Sequence, residues 1–282
     1  QYPFKMKTDT KGKEILLIAN ERVGYKTVQR VIEEGYSVQA VFTSHSKRRH
    51  KIADYVDFSP LEKKYKNIPF HYILDPKEPF VIEEIQSYNP DLVLVISWSQ
   101  MLPKKIVDFP RLGTVGVHYS LLPERRGGAP LVWAIIDGLE KTGLTLFYYD
   151  EGVDTGDIID QVELEITFHD TVKSMLEKIE IALPPLVEKN LDAILERTNQ
   201  RIKQDESNAS YTKARTPKDG EIDWSLSREQ IYNFIRAQTV PYPCAYTKVI
   251  DKNGKSKELV IPCAKFEDDK LIIEGYVEGM EG

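Results

Sequence analysis

The chain has 282 residues, 41% hydrophobic and 29% charged, with a formal net charge of −6 at pH 7 and a pI near 5.6. This ordinary apolar content, with no apolar run near the roughly 18 residues of a membrane span, predicts a globular protein without a membrane partner. The acidic balance disfavours a large nucleic-acid footprint, which draws on clustered Lys and Arg, and the length predicts two domains.

The opening "QYPFKMKTDTKGKE" is polar and lacks the apolar stretch of a secretory signal, so residues 1–13 read as a tail and a cytoplasmic location is expected. From residue 14 to about 200 short Val- and Ile-rich runs recur: "EILLIAN" (14–20), "SVQAVFTS" (37–44), "IPFHYILD" (68–75), "DLVLVISW" (91–98) and "TVGVHYS" (114–120). Between them, "GYKTVQRVIEEG" (24–35) and "FVIEEIQSYNP" (80–90) repeat apolar positions at helical spacing. Strands separated by helices predict an α/β fold with a Rossmann-like, mostly parallel sheet covered on both faces, here assigned to residues 14–200.

The first strand-to-helix turn, "LLIANERVGYKT", has no G-x-G-x-x-G, so no NAD(P) is expected. "PLVWAIIDG" (130–138) predicts a short helix, and "TGLTLFYYD" (142–150) and "DIIDQVELEI" (157–166) predict strands flanking "EGVDTG". Residues 171–199 predict one long helix or a pair broken near Pro184 and Pro185. Polar, unpatterned residues 201–225 read as a linker. Residues 226–282 then give a helix ("SREQIYNFIRAQ") and alternating strands, a small C-terminal β domain, barrel-like or open. Cys244 and Cys263 fit neither a metal knuckle nor a redox pair and read as small buried apolar side chains; no metal is expected.

Open parallel sheets bind ligands at the carboxyl ends of their strands. His118 and Ser120 end one such strand, and Ser97, Trp98, Ser99 and Gln100 end another. "HYSLLPERRGGAP" (118–130), "TGLTLFYYDEGVDTGDII" (142–159) and "RTPKDGEIDW...IRAQTVPYP" (215–243) resemble the folate-dependent formyltransferase superfamily, and most of all its nucleotide-sugar N-formyltransferases.

The resemblance implies transfer of the formyl group of 10-formyltetrahydrofolate to the amine of a nucleotide-linked amino sugar, a chemistry of lipopolysaccharide biosynthesis. It implies that His118 and Asp154 are catalytic, with Asp154 fixing the imidazole tautomer. Ser97, Trp98, Ser99, Gln100, Met101 and Leu102, with Gly152 and Val153, would bind the folate. Ser120, Leu121, Leu122, Pro123, Arg126 and Gly127 would line a flexible substrate loop. It also leaves room for a homodimer.

The superfamily pattern has Asn two residues before the histidine, where this chain has Gly116. Ser97, Ser99, Gln100 or an ordered water in the space left by the glycine are the expected substitutes as oxyanion donor. Two other readings stand beside the first. One is methionyl-tRNA formyltransferase, for which the basic run "KRRHK" (47–51) would be a phosphate contact; the other is a member that binds folate or nucleotide without catalysis.

Overall fold

The computed structural model describes residues 12–268 and 270–277, so most of the expected tail at 1–13 lies outside the described residues. In chain order the elements are β1 (Ile15–Ala19), α1 (Glu21–Glu33), β2 (Val38–Ser44), α2 (Ser59–Lys64), β3 (Phe70–Ile73), α3 (Pro79–Ser87), β4 (Leu92–Ile96), α4 (Lys104–Val107) and β5 (Thr114–His118). They continue with β6 (Arg126–Gly127), α5 (Pro130–Ile136), β7 (Lys141–Tyr148), β8 (Ile158–Glu165), α6 (Val172–Glu196), β9 (Tyr211–Thr212), α7 (Arg228–Arg236), β10 (Ala245–Ile250), β11 (Ser256–Glu267) and β12 (Lys270–Val277).

Seven strands form one sheet in the order β3-β2-β1-β4-β5-β7-β8. Pairings among β1, β2, β3, β4 and β5 are all parallel, and β7 runs antiparallel to β5. Every residue of β1 and β4 is buried, as expected for central parallel strands that are covered on both faces and so read as unbroken apolar runs. The strand order reverses between β1 and β4, which opens a crevice at their carboxyl ends.

Chain contacts divide the protein into two compact units. Over the described residues, one comprises 12–126, 143–162 and 179–210, the other 127–142, 163–178, 211–268 and 270–277. The core of the second unit is Ile222, Ile231, Ile235, Ala245 and Ile261, so α7 lays its apolar face on β10 and β11. Ser227 and Gln230 form a reciprocal capping box at the start of α7. β10, β11 and β12 make an antiparallel sheet, the open form of the expected C-terminal β domain. The register shifts between Val260 and Cys263, around Pro262, because proline has no N–H to give to the ladder.

The structure chooses the single long helix of the two readings for 171–199, and differs from expectation at two other places. α6 runs unbroken through Pro184 and Pro185, because Leu183, Leu186 and Val187 around them are buried and packing outweighs the lost hydrogen bonds. Cys244 is buried but Cys263 is exposed, on the solvent side of β11. Residues 201–225 carry β9 and two 3-10 turns, the second closed by a capping box between Thr216 and Asp219.

Candidate active site

His118 is the last residue of β5 and is nearly buried. Its Nε2 lies 2.8 Å from the backbone carbonyl of Arg125. A carbonyl only accepts, so Nε2 carries the proton and Nδ1 is the nitrogen left to exchange one. Nδ1 faces Asp154 Oδ2 at 3.6 Å. The tautomer is therefore held by the Arg125 carbonyl, a correction to the expectation that Asp154 holds it.

The β5–β7 register explains how Asp154 reaches the histidine. Val115 pairs with Tyr148 and His118 with Thr145, so β7 ends beside the start of β5 and the following loop must double back toward His118. The base of that loop is closed by the Tyr148 N–H donating to the Asp157 carbonyl. Inside it, Asp150 accepts from the Gly152 N–H and the Thr155 hydroxyl. Gln204 Nε2 donates to the carbonyls of Asp154 and Gly156 at 2.8 and 2.7 Å.

The loop from 119 to 127 is packed, not free. Ser120 is 1% exposed and its hydroxyl donates to the Glu124 carbonyl. Leu122 is buried, and its N–H donates to Thr145 Oγ1. That hydroxyl donates to the Ser120 carbonyl and accepts from Gln161 Nε2, which uses its full capacity. Arg126, expected to touch substrate, is 0% exposed: Nε donates to Gln204 Oε1, and Nη1 and Nη2 both donate to Glu206. Because Gln204 also holds the Asp154 carbonyl, Arg126 supports the loop that presents the carboxylate. Leu121 packs over Gly143, and Gly127, at φ 94°, has its open side against the Thr212 carbonyl. Pro123 carries the carbonyl that accepts from the Ser210 N–H.

The segment after β4 lies at the crevice where strand order reverses. Ser97 has φ 52°, and its hydroxyl is hydrogen-bonded to that of Tyr119. Ser99 and Met101 are exposed and Leu102 enters the core. Trp98 packs on the same core cluster. Its indole Nε1 and the Gln100 Oε1 are buried with no hydrogen-bond partner among the described residues. A donor and an acceptor orphaned two residues apart in sequence fit a ligand that offers both, as a pterin does. Gly152 and Val153 are exposed at the tip of the Asp154 loop.

Gly116 leaves no space for a water. A Cβ there would fall inside contact with Tyr149 Cε1 and within 2.9 Å of its Cζ and hydroxyl oxygen. The basic run at 47–51 is part of a 3-10 helix, Ser46–Lys51; there Arg48 donates to the Leu74 carbonyl. Arg49 helps line a separate cleft of about 350 Å³ with His45, Tyr55, Asp57 and Tyr72.

Glu21, absent from the sequence reading, opens α1 at φ 60°. Burial first, then the Asp54 carboxylate, push its carboxyl up to about 7, with a hydrogen bond from Ser97 drawing it partly back. A Glu two residues after a strand at the switch point was the available signal. Of the non-glycine residues with positive φ, Glu21 and Ser97 border this crevice, while Arg125 and Asp154 are the two partners of His118. Such strain gathers where function over-determines the backbone.

Because the folded-state value for Glu21 lies above 4.5, its stabilising contribution is full below pH 4.5 and lost as pH rises through 7. Glu21→Gln should therefore stabilise the protein at pH 8 by on the order of 2 kcal/mol and leave it unchanged at pH 4.5. Urea unfolding at both pH values checks this; equal gains at both would count against it.

The formyl transferase family profile matches residues 15–184, and the formyl transferase C-terminal domain profile matches residues 215–271. The methionyl-tRNA formyltransferase of Clostridioides difficile (strain 630) is 34% identical over 251 residues, covering 87% of this chain and 81% of that protein. The solved structure of a methionyl-tRNA formyltransferase from Clostridium thermocellum superposes with a TM-score of 0.65 at 23% identity, over 96% of this chain and 100% of that one. A 4-N formyltransferase from Francisella tularensis gives 0.67 at 25% identity, over 90% and 99%. The chain belongs to the formyl transferase family and is a folate-dependent formyltransferase.

Proposed function

We propose that this enzyme transfers the formyl group of 10-formyltetrahydrofolate to a primary amine, with His118 and Asp154 as its proton-handling pair. The observation that carries the roles is the fixed imidazole, with Nε2–H on the Arg125 carbonyl and Nδ1 toward Asp154. When bound, 10-formyltetrahydrofolate supplies the formyl carbon. Trp98 and Gln100, with Ser97, Ser99, Met101 and Leu102, would hold it, and Gly152 and Val153 would approach it from the loop. Nδ1 of His118 takes the proton that the attacking amine must lose, and the Asp154 carboxylate stabilises the resulting imidazolium.

For the amine, the family relatives reverse the order read from sequence. Methionyl-tRNA comes first, on the strength of a relative of that name, 34% identical and matched over 81% of its length. Arg49 beside the aromatic cleft is then a phosphate contact. A nucleotide-linked amino sugar is the second reading. It is favoured by the net charge of −6, by the near balance of acidic and basic residues over 211–282, and by likeness to the Francisella 4-N formyltransferase.

Transfer assays with both substrates at about 50 and 200 mM salt decide between them. On the first reading initiator methionyl-tRNA is formylated, and kcat/KM drops steeply with salt because tRNA contacts displace counterions. Salt-insensitive transfer to an amino-sugar nucleotide, with methionyl-tRNA untouched, would install the second.

A further inference from the structure

Formyl transfer puts negative charge on the formyl oxygen, and a donor must meet it. None of the expected side chains is placed for this, since the Ser97 hydroxyl is bonded to Tyr119, Ser99 is exposed, and the Gln100 Nε2 donates to the Leu74 carbonyl. Tyr149 is the first residue beyond β7, where its N–H donates to the Thr114 carbonyl. Strand alternation puts Thr145, Phe147 and Tyr149 on one face, and the register opposes Thr145 to His118 and Phe147 to Gly116. Gly116, His118 and Tyr149 therefore share a face of the sheet.

The ring is held in place there. Phe147 lies 5.3 Å from it and 6.4 Å from the His118 ring, centroid to centroid. Tyr149 packs on the same apolar cluster as Trp98 of the folate segment. Its phenol end covers the open side of Gly116, which only glycine can leave open. No hydrogen bond within the described residues engages the hydroxyl. Burial and then the nearby Asp154 carboxylate raise its proton affinity, so it stays an O–H donor throughout the working pH range.

We propose that the Tyr149 hydroxyl is the oxyanion donor of this enzyme, and that residue 116 is glycine because the phenol occupies the space a side chain would fill. The proposal rests on the formyl-transfer reading above. The amine lone pair forms the new N–C bond, and the carbonyl π pair moves to oxygen, which accepts from the Tyr149 O–H. The C=O re-forms as the C–N10 bond breaks, with its electron pair left on N10. The amine gives a proton to His118 Nδ1, which passes it to N10, so that the imidazole returns to its starting state and Tyr149 keeps its own proton.

Tyr149→Phe removes the donor and keeps the ring. We expect kcat to fall about 10²–10³-fold, while KM for the amine and the Kd for 5-formyltetrahydrofolate, by calorimetry, stay within about twofold. Gly116→Asn alone should lower both Tm and kcat through collision with the ring. Combined with Tyr149→Ala, which vacates the space, it should recover at least ~10-fold in kcat over Tyr149→Ala alone, because the amide then supplies the donor. A Tyr149→Phe enzyme within about threefold of wild-type kcat overturns the proposal, as does a loss of 5-formyltetrahydrofolate affinity parallel to the loss of kcat, which marks a packing role. A wild-type chain that neither binds 5-formyltetrahydrofolate nor formylates any amine overturns the formyl-transfer reading itself.

Discussion

His118→Ala and Asp154→Asn are each expected to lower kcat by at least ~10³, with the double variant little worse than either single. The imidazole has one exchangeable nitrogen, since Nε2–H is held by the Arg125 carbonyl, and the carboxylate that stabilises a proton on the other is Asp154. On the proposed roles, removing the ring removes the base. Neutralising Asp154 leaves the base in place but withdraws the charge that makes protonating it favourable in a nearly buried site. Groups that act on one proton are not independent, so their losses do not multiply. Steady-state kinetics of the three variants, with Tm as a folding control, provide the check; a double variant showing the product of the two single losses would refute the coupling.

The parallel strands were legible because burial on both faces demands Val- and Ile-rich runs, and β1, β2, β4 and β5 fall on such runs. Short, polar α2 and α4 have no such pattern, and α6 crosses two prolines because Leu183 and Leu186 anchor it from the core. The site divides in the same way. His118 and Asp154 could be paired from their motifs, yet the residue that fixes the tautomer is a backbone carbonyl, to which side-chain identity is blind. Arg126 in a glycine-rich loop looks like a free cation until Gln204 and Glu206, about 80 residues further along the chain, are folded onto it. Gly116 reads as a missing donor in one dimension. In three it is the floor beneath Tyr149, a relation set by strand register and invisible in local spacing.

Gly156→Ala is expected to cost about 3 kcal/mol of stability and on the order of 10² in kcat, although the residue touches neither His118 nor a substrate contact. The loop carrying Asp154 leaves β7 at Tyr148 and returns at Asp157, pinned by the Tyr148 N–H to the Asp157 carbonyl. At that neck a Cβ on residue 156 would overlap the Tyr148 carbonyl oxygen and lie 2.8 Å from its carbon. Backbone on both sides leaves no side chain able to swing away, so the collision opens the neck, and the cost is at the upper end for overpacking. Opening it also moves the Gly156 and Asp154 carbonyls off Gln204, which frees the carboxylate from its place opposite Nδ1. A shift of about 1 Å in a reacting group is enough for a hundredfold loss. Affinity for 5-formyltetrahydrofolate should fall less than kcat, since the orphaned Trp98 and Gln100 atoms belong to the segment after β4 and only the approach of Gly152 and Val153 moves with the loop. Urea unfolding, kcat and calorimetry on the one variant test all three parts, and a Gly156→Ala enzyme with wild-type kcat would show that the position of Asp154 does not depend on this neck.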